Sequence, residues 1–183
     1  MGLANTQLMS YKENSAFSRN VGRKGPMSEI LFSVKQVAAK ISYTGEPEEI
    51  SRLCRKIRHW TESEILSPLG PTKTGTGVSR VYDEHGVRMA AILLELSRHG
   101  VTTDMLVTFE EWVEGIATMP EWEAAVNGEN DLVIQFSWSA NPDGFVSYRP
   151  LVGQFDKLMW QSMGEPISSA IVVNLRSVFE RIR

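Results

Sequence analysis

Near residue 120 the spacing of the apolar residues changes, and no other feature of this sequence restricts its fold as much. Upstream they recur every three to four positions, the period of a helix with one buried side. Downstream they gather in short β-branched and aromatic runs at 132–138, 145–151 and 168–174, which suit strands. An Asn-Pro-Asp-Gly turn at 141–144 divides the first two runs. Helices followed by strands argue against both an alternating βαβ chain and an all-helical one, so the expected class is α+β. No apolar run approaches the roughly 20 residues that would span a bilayer.

The local signals fill in this order. Ser33 is placed to cap a short helix with Val34, Val37, Ala38 and Ile41 on one side. A second helix opens at Glu46-Pro47-Glu48-Glu49, where proline is tolerated and carboxylates suit the positive end of the dipole, and it runs through Trp60. A Gly/Thr turn at 72–77 and the alternation at 78–82 read as a hairpin. Asp83 caps a third helix bearing Val87, Met89, Ala90, Leu93, Leu94 and Leu96, which His99-Gly100 ends. A fourth begins at Thr103 or Asp104 and carries Met105, Leu106, Phe109, Trp112, Val113 and Ile116. An amphipathic helix over 175–183 closes the chain.

Four units are therefore expected. Residues 1–26 are polar and aperiodic, a disordered tail that either precedes a natural start at Met27 or serves as a basic arm. Residues 27–103 form a helix-rich domain and 104–118 a connecting helix. Residues 119–183 form a small mixed α/β domain with about three strands.

A net charge of −3 conceals an uneven distribution. Residues 1–103 carry 14 Lys and Arg against 10 Asp and Glu, whereas residues 104–183 carry 5 against 12. A basic half joined to an acidic half suggests that only the first approaches a polyanion such as DNA. On a helical wheel, Ile50, Leu53, Cys54, Ile57, Trp60 and Thr61 fall on one side of the second helix. Arg52, Arg55, Lys56 and His59 collect opposite, with Arg58 on the flank. Arg and Lys supply the donors for guanine edges and phosphates, and a short helix followed by a basic-faced one is what a helix-turn-helix requires. A solvated charged face on an ordinary surface helix is the alternative reading of the same pattern.

Within this stretch, Ile57-Arg-His-Trp-Thr-Glu-Ser-Glu-Ile-Leu-Ser-Pro68 resembles the Leu-Arg-Tyr-Tyr-Glu-x-x-Gly-Leu-Leu-x-Pro signature of MerR-type winged-helix regulators. Ser79-Arg-Val-Tyr-Asp83 is similar to that family's wing strand, Phe32-Ser-Val-Lys-Gln-Val-Ala38 to its opening helix, and Gly100-Val-Thr-Thr-Asp104 to the break before its fourth helix. His59 and Glu64 stand where the signature has an aromatic residue and a glycine. The resemblance covers about residues 30–106 and implies an N-terminal winged helix-turn-helix whose second helix enters the major groove. It implies that Arg58, with His59 or Trp60, holds the DNA backbone, that the wing residue Arg80 grips neighbouring phosphates, and that Tyr82 is the wing tyrosine. Tyr82 and Trp60 also read as core fillers. The family's long dimerisation helix has no counterpart, so a homodimer is expected to pair through the fourth helix and the C-terminal sheet.

Little else in the sequence carries chemistry. His59, His85 and His99 lack partners at metal-ligand spacing, and no phosphate-binding glycine loop, nucleophile elbow or zinc motif occurs. No metal, no cofactor and no enzymatic activity are expected. The single cysteine, Cys54, lies on the buried face of its helix, and with no secretory signal visible the expected compartment is the cytoplasm. Trp112, Trp122, Trp138, Trp160 and Tyr148 either build a small core or line a pocket for a small-molecule or protein effector, with Arg149 the best-placed cation. The expectation is a sequence-specific, DNA-binding transcription regulator contacting double-stranded DNA through Arg52, Arg55, Lys56, Arg58, His59, Arg80 and Tyr82. The alternative is a protein–protein interaction module on the same scaffold.

Overall fold

The computed structural model describes residues 30–70, 79–107, 117, 120–140, 146–154 and 169–183. The chain is mixed α and β, with helices leading and a three-stranded sheet following. The expected tail, the glycine-rich turn at 72–77, most of the fourth helix from Phe109 to Ile116, and the turn at 141–144 lie outside the described residues. So do the side chains of Trp138, Tyr148, Arg149 and Trp160.

Strand β1 (Phe32–Ser33) leads directly into α1 (Val34–Ile41). Ser33 accepts from the Gln36 backbone N–H while the Gln36 side chain accepts from the Ser33 N–H at 2.8 Å, a reciprocal cap that fixes the helix start. Val37, Ala38 and Ile41 are buried against α2 (Pro47–Glu62) through Leu53, Ile57 and Trp60. The turn between the two helices is closed by Glu49, whose carboxylate accepts from the Ser42 hydroxyl and from both the N–H (2.9 Å) and hydroxyl (2.7 Å) of Thr44.

Strand β2 (Val81–Tyr82) runs antiparallel to β1, pairing Tyr82 with Phe32 and Val81 with Ser33, and Leu69 bridges Val81 from the other side. Its continuation into α3 (Glu84–Arg98) is capped by Asp83, which accepts from the Gly86 N–H at 2.8 Å. Seven consecutive residues of α3 from Ala90 to Leu96 include six that are buried, so this helix is the spine of the core. Gly100, at φ 87°, turns the chain out of it. Residues 103–107 are helical again.

Helix α4 (Pro120–Asn127) is a correction to the sequence reading, which places no helix there. Only Trp122 and Ala125 are buried along its eight residues, too few apolar positions to register as a helical period. Strands β3 (Leu132–Ala140), β4 (Val146–Gln154) and β5 (Ser169–Asn174) match the three expected runs and form an antiparallel sheet in the order β4-β3-β5. Helix α5 (Leu175–Ile182), capped by Asn174, then returns to pack on α3, α4 and α1. Lys40 donates to the Ile182 carbonyl at 2.9 Å, and Arg181 donates to the Ile41 carbonyl at 2.8 Å. Trp122 packs edge-on against Phe179 with centroids 5.1 Å apart. One apolar cluster thus takes in Val37, Ile57 and Leu93 from the first half and Trp122, Phe136 and Phe179 from the second.

The Tyr43 ring reinforces this junction. The Arg98 and Arg181 guanidinium groups each lie 3.8 Å from its centroid, and its hydroxyl donates to Glu95. The α1–α2 turn is therefore fastened to the ends of both α3 and α5.

Candidate nucleic-acid interface

Helix α2 divides by side. Leu53, Ile57, Trp60 and Thr61 are buried, with Ile50 and Cys54 partly so, as the wheel requires. Arg52, Arg55, Arg58 and His59 are exposed, and no carboxylate among the described residues bonds to them. Arg52, Arg55 and His59 recur at helical spacing and make the ridge of the outward face. The exposed carboxylates of α2 stand near its two ends, Glu46 and Glu48 at the start and Glu62 at the last position, so positive charge gathers over its middle.

Lys56 departs from the expected arrangement. It is half-buried, with its ammonium 5.5 Å from the Trp60 ring centroid, because four residues along a helix bring two side chains over one another. Burial, and then the charge of Arg52, push its pKa below the usual lysine value. Like charges at this spacing cost an isolated helix roughly 0.2–0.5 kcal/mol, a repulsion that a bound polyanion relieves.

Arg80 sits at the entrance to β2 with its side chain 14% exposed and two guanidinium nitrogens 3.4 Å from Glu62 at the end of α2. Its charge is therefore partly answered within the molecule. Tyr82 is a second correction. It is fully buried, and its hydroxyl lies 2.7 Å from the Thr61 Oγ1, so no part of it reaches a ligand. Thr61 already donates to the Ile57 carbonyl at 2.9 Å, which leaves Tyr82 as the donor between them. Burial raises the Tyr82 pKa, while the Thr61 bond and then the fields of Arg80 and Arg58 oppose that rise.

The end of α2 carries a further feature. Glu64 adopts φ 60°, and the N–H groups of Ile65 and Leu66 both donate to the Trp60 carbonyl, at 2.9 and 3.2 Å. This left-handed residue ends the helix and drops Ile65 and Leu66 into the core. It falls where the MerR signature has glycine.

Sequence reasoning missed Glu49 as the clamp of the interhelical turn. Its signal was present: Glu49 is the third residue of α2, the position from which carboxylates reach back past the cap, and Ser42 and Thr44 precede it. These bonds, the Ser42 hydroxyl first and then Thr44, hold the Glu49 pKa down to about 2.

Among the described residues no three His, Cys, Asp or Glu side chains gather into a metal site, and no helix is long and apolar enough to cross a membrane. No protein-family model matches the chain, and no curated protein matches its sequence.

Proposed function

We propose that this chain is a DNA-binding transcription regulator that docks α2 in the major groove of double-stranded DNA. The observation that carries the proposal is the separation on α2 of a buried apolar face from an exposed face bearing Arg52, Arg55, Arg58 and His59. Arg80 and Lys56 flank that face, one beside Glu62 and the other over Trp60. In this reading the arginines first capture the duplex through its phosphates, and the ridge then reads base edges. The Leu69–Val81 bridge and β2, with Arg80 at its entrance, would stand where MerR-type regulators carry the base of their wing. A homodimer would present two such helices to a two-fold site. A reducing cytoplasm, where such a regulator meets DNA, suits a chain with one cysteine.

The test is a salt titration on duplex fragments of genomic DNA, comparing the wild type with Arg52→Ala/Arg55→Ala/Arg58→Ala. For every phosphate that the variant leaves unneutralised, the slope of log K against log salt should flatten by about 0.9. An unchanged slope removes the mechanism. Capture of a protein partner that survives nuclease treatment, with no DNA retained, would instead favour the interaction-module reading.

A further inference from the structure

A cleft of about 320 Å³ lies where α1 and α3 meet α4 and α5, on elements away from the cationic ridge of α2. We infer that it binds a compact apolar monocarboxylate, an aryl acid being the best fit. Its apolar side is preformed: Val87 and Phe179 are 3% and 2% exposed, and Phe32 adds a second ring. Two phenyl rings among the lining, Phe32 with the Lys40 ammonium 5.5 Å from its centroid and Phe179 edge-on to Trp122, favour an aromatic guest.

The polar side is cationic. Lys40, Arg88 and Arg183 line the cleft against a single carboxylate, Glu84. Each cation is held in place by one bond: Lys40 to the Ile182 carbonyl, Arg183 to the Val126 carbonyl, and Arg88 to Glu84 at 3.2 Å. An ammonium carries three donors and a guanidinium five, so donors remain for an incoming oxyanion. Counted over side chains, cations outnumber carboxylates in the lining by three to one, in a chain whose net charge is −3. That balance disfavours a cationic ligand. Glu84 and the phenyl rings disfavour a phosphate, which would keep a second charge beside a carboxylate and surrender its hydration to apolar walls. The volume falls at the lower end of ligand sites, about 300–1,000 Å³, as a single-ring acid requires.

The site draws its walls from both halves of the chain, so occupancy favours their docked arrangement and raises the melting temperature. The inference is independent of DNA binding and survives its failure.

The experiment uses the full chain with methyl-labelled valine and isoleucine, titrated with phenylacetate and with its amine counterpart 2-phenylethylamine. The expected result is a saturable shift centred on Val87, Val126 and Ile182 with phenylacetate, and binding of the amine weaker by about tenfold or more. Lys40→Gln, which keeps a donor for the Ile182 carbonyl, and Arg88→Gln should together weaken phenylacetate by about tenfold or more while the unbound spectrum stays dispersed. If the double variant loses dispersion, Arg88→Gln alone carries the comparison. Shifts that are absent, scattered over the surface, equal for acid and amine, or unchanged by loss of the cations would overturn the site.

Discussion

The Tyr82 hydroxyl lies 2.7 Å from Thr61 Oγ1, and this buried bond ties the strand that follows Arg80 to the last turn of the helix bearing Arg58. Tyr82→Phe leaves Thr61 with its Ile57 partner, whereas Thr61→Val strands the Tyr82 hydroxyl in the core. Denaturant unfolding should show Thr61→Val losing about 1–3 kcal/mol and Tyr82→Phe about 0.5–1.5 kcal/mol. The double variant should lose less than the sum, because the pair then leaves no orphaned donor.

Arg80 lies 3.4 Å from Glu62, a carboxylate whose side chain is 63% exposed. Glu62→Gln removes that countercharge from the ridge. An exposed pair is worth about 0–1 kcal/mol, so affinity for a non-specific duplex at low salt should rise by about threefold. Filter binding or anisotropy measures it; a loss of affinity would mean that Glu62 positions Arg80 rather than competing for it.

Glu64 adopts φ 60°, where a side chain costs roughly 1–2 kcal/mol relative to glycine. Glycine returns about 0.5–1 kcal/mol of that gain through the entropy of the unfolded chain. Glu64→Gly should therefore stabilise the fold by about 0.5–1 kcal/mol in thermal or denaturant unfolding. A destabilised variant would show that the Glu64 side chain makes a compensating contact.

Glu49 gives the turn between α1 and α2 a pH dependence of known sign. Its pKa is about 2, depressed from 4.5, so its contribution is complete above the unfolded value and is lost as pH falls from 4.5 through 2. Side-chain carbonyl shifts followed by acid titration should show Glu49 as a low-titrating carboxylate. Glu49→Gln should abolish that part of the acid destabilisation, with the Ser42 and Thr44 resonances losing their transition in the same interval.

Much of the cationic helix was legible in the sequence. Leu53, Ile57 and Trp60 share one side because 3.6 residues make a turn, and Arg52, Arg55 and His59 share the other for the same reason. Lys56 was misplaced because a wheel treats each side chain as a radial point, whereas a long flexible stem bends toward an aromatic neighbour one turn away. Tyr82 carried two readings, and only its burial against Thr61 separates them. The unassigned α4 offers the converse lesson: two buried residues in eight set no period, and the helix is held instead by Trp122 packing on Phe179.

By itself the sequence determined the helix caps at Ser33 and Asp83, the buried side of α2, the passage from helices to strands, and the three strand segments. All of these depend on interactions among residues a few positions apart. Only the tertiary structure decided that α5 closes over α1 and α3, that β2 joins β1, and that Arg80 stands beside Glu62. Lys40 and Ile182 meet across 142 positions of sequence, and no local period records such a meeting. It is chosen by which apolar faces can be buried together once every helix has formed.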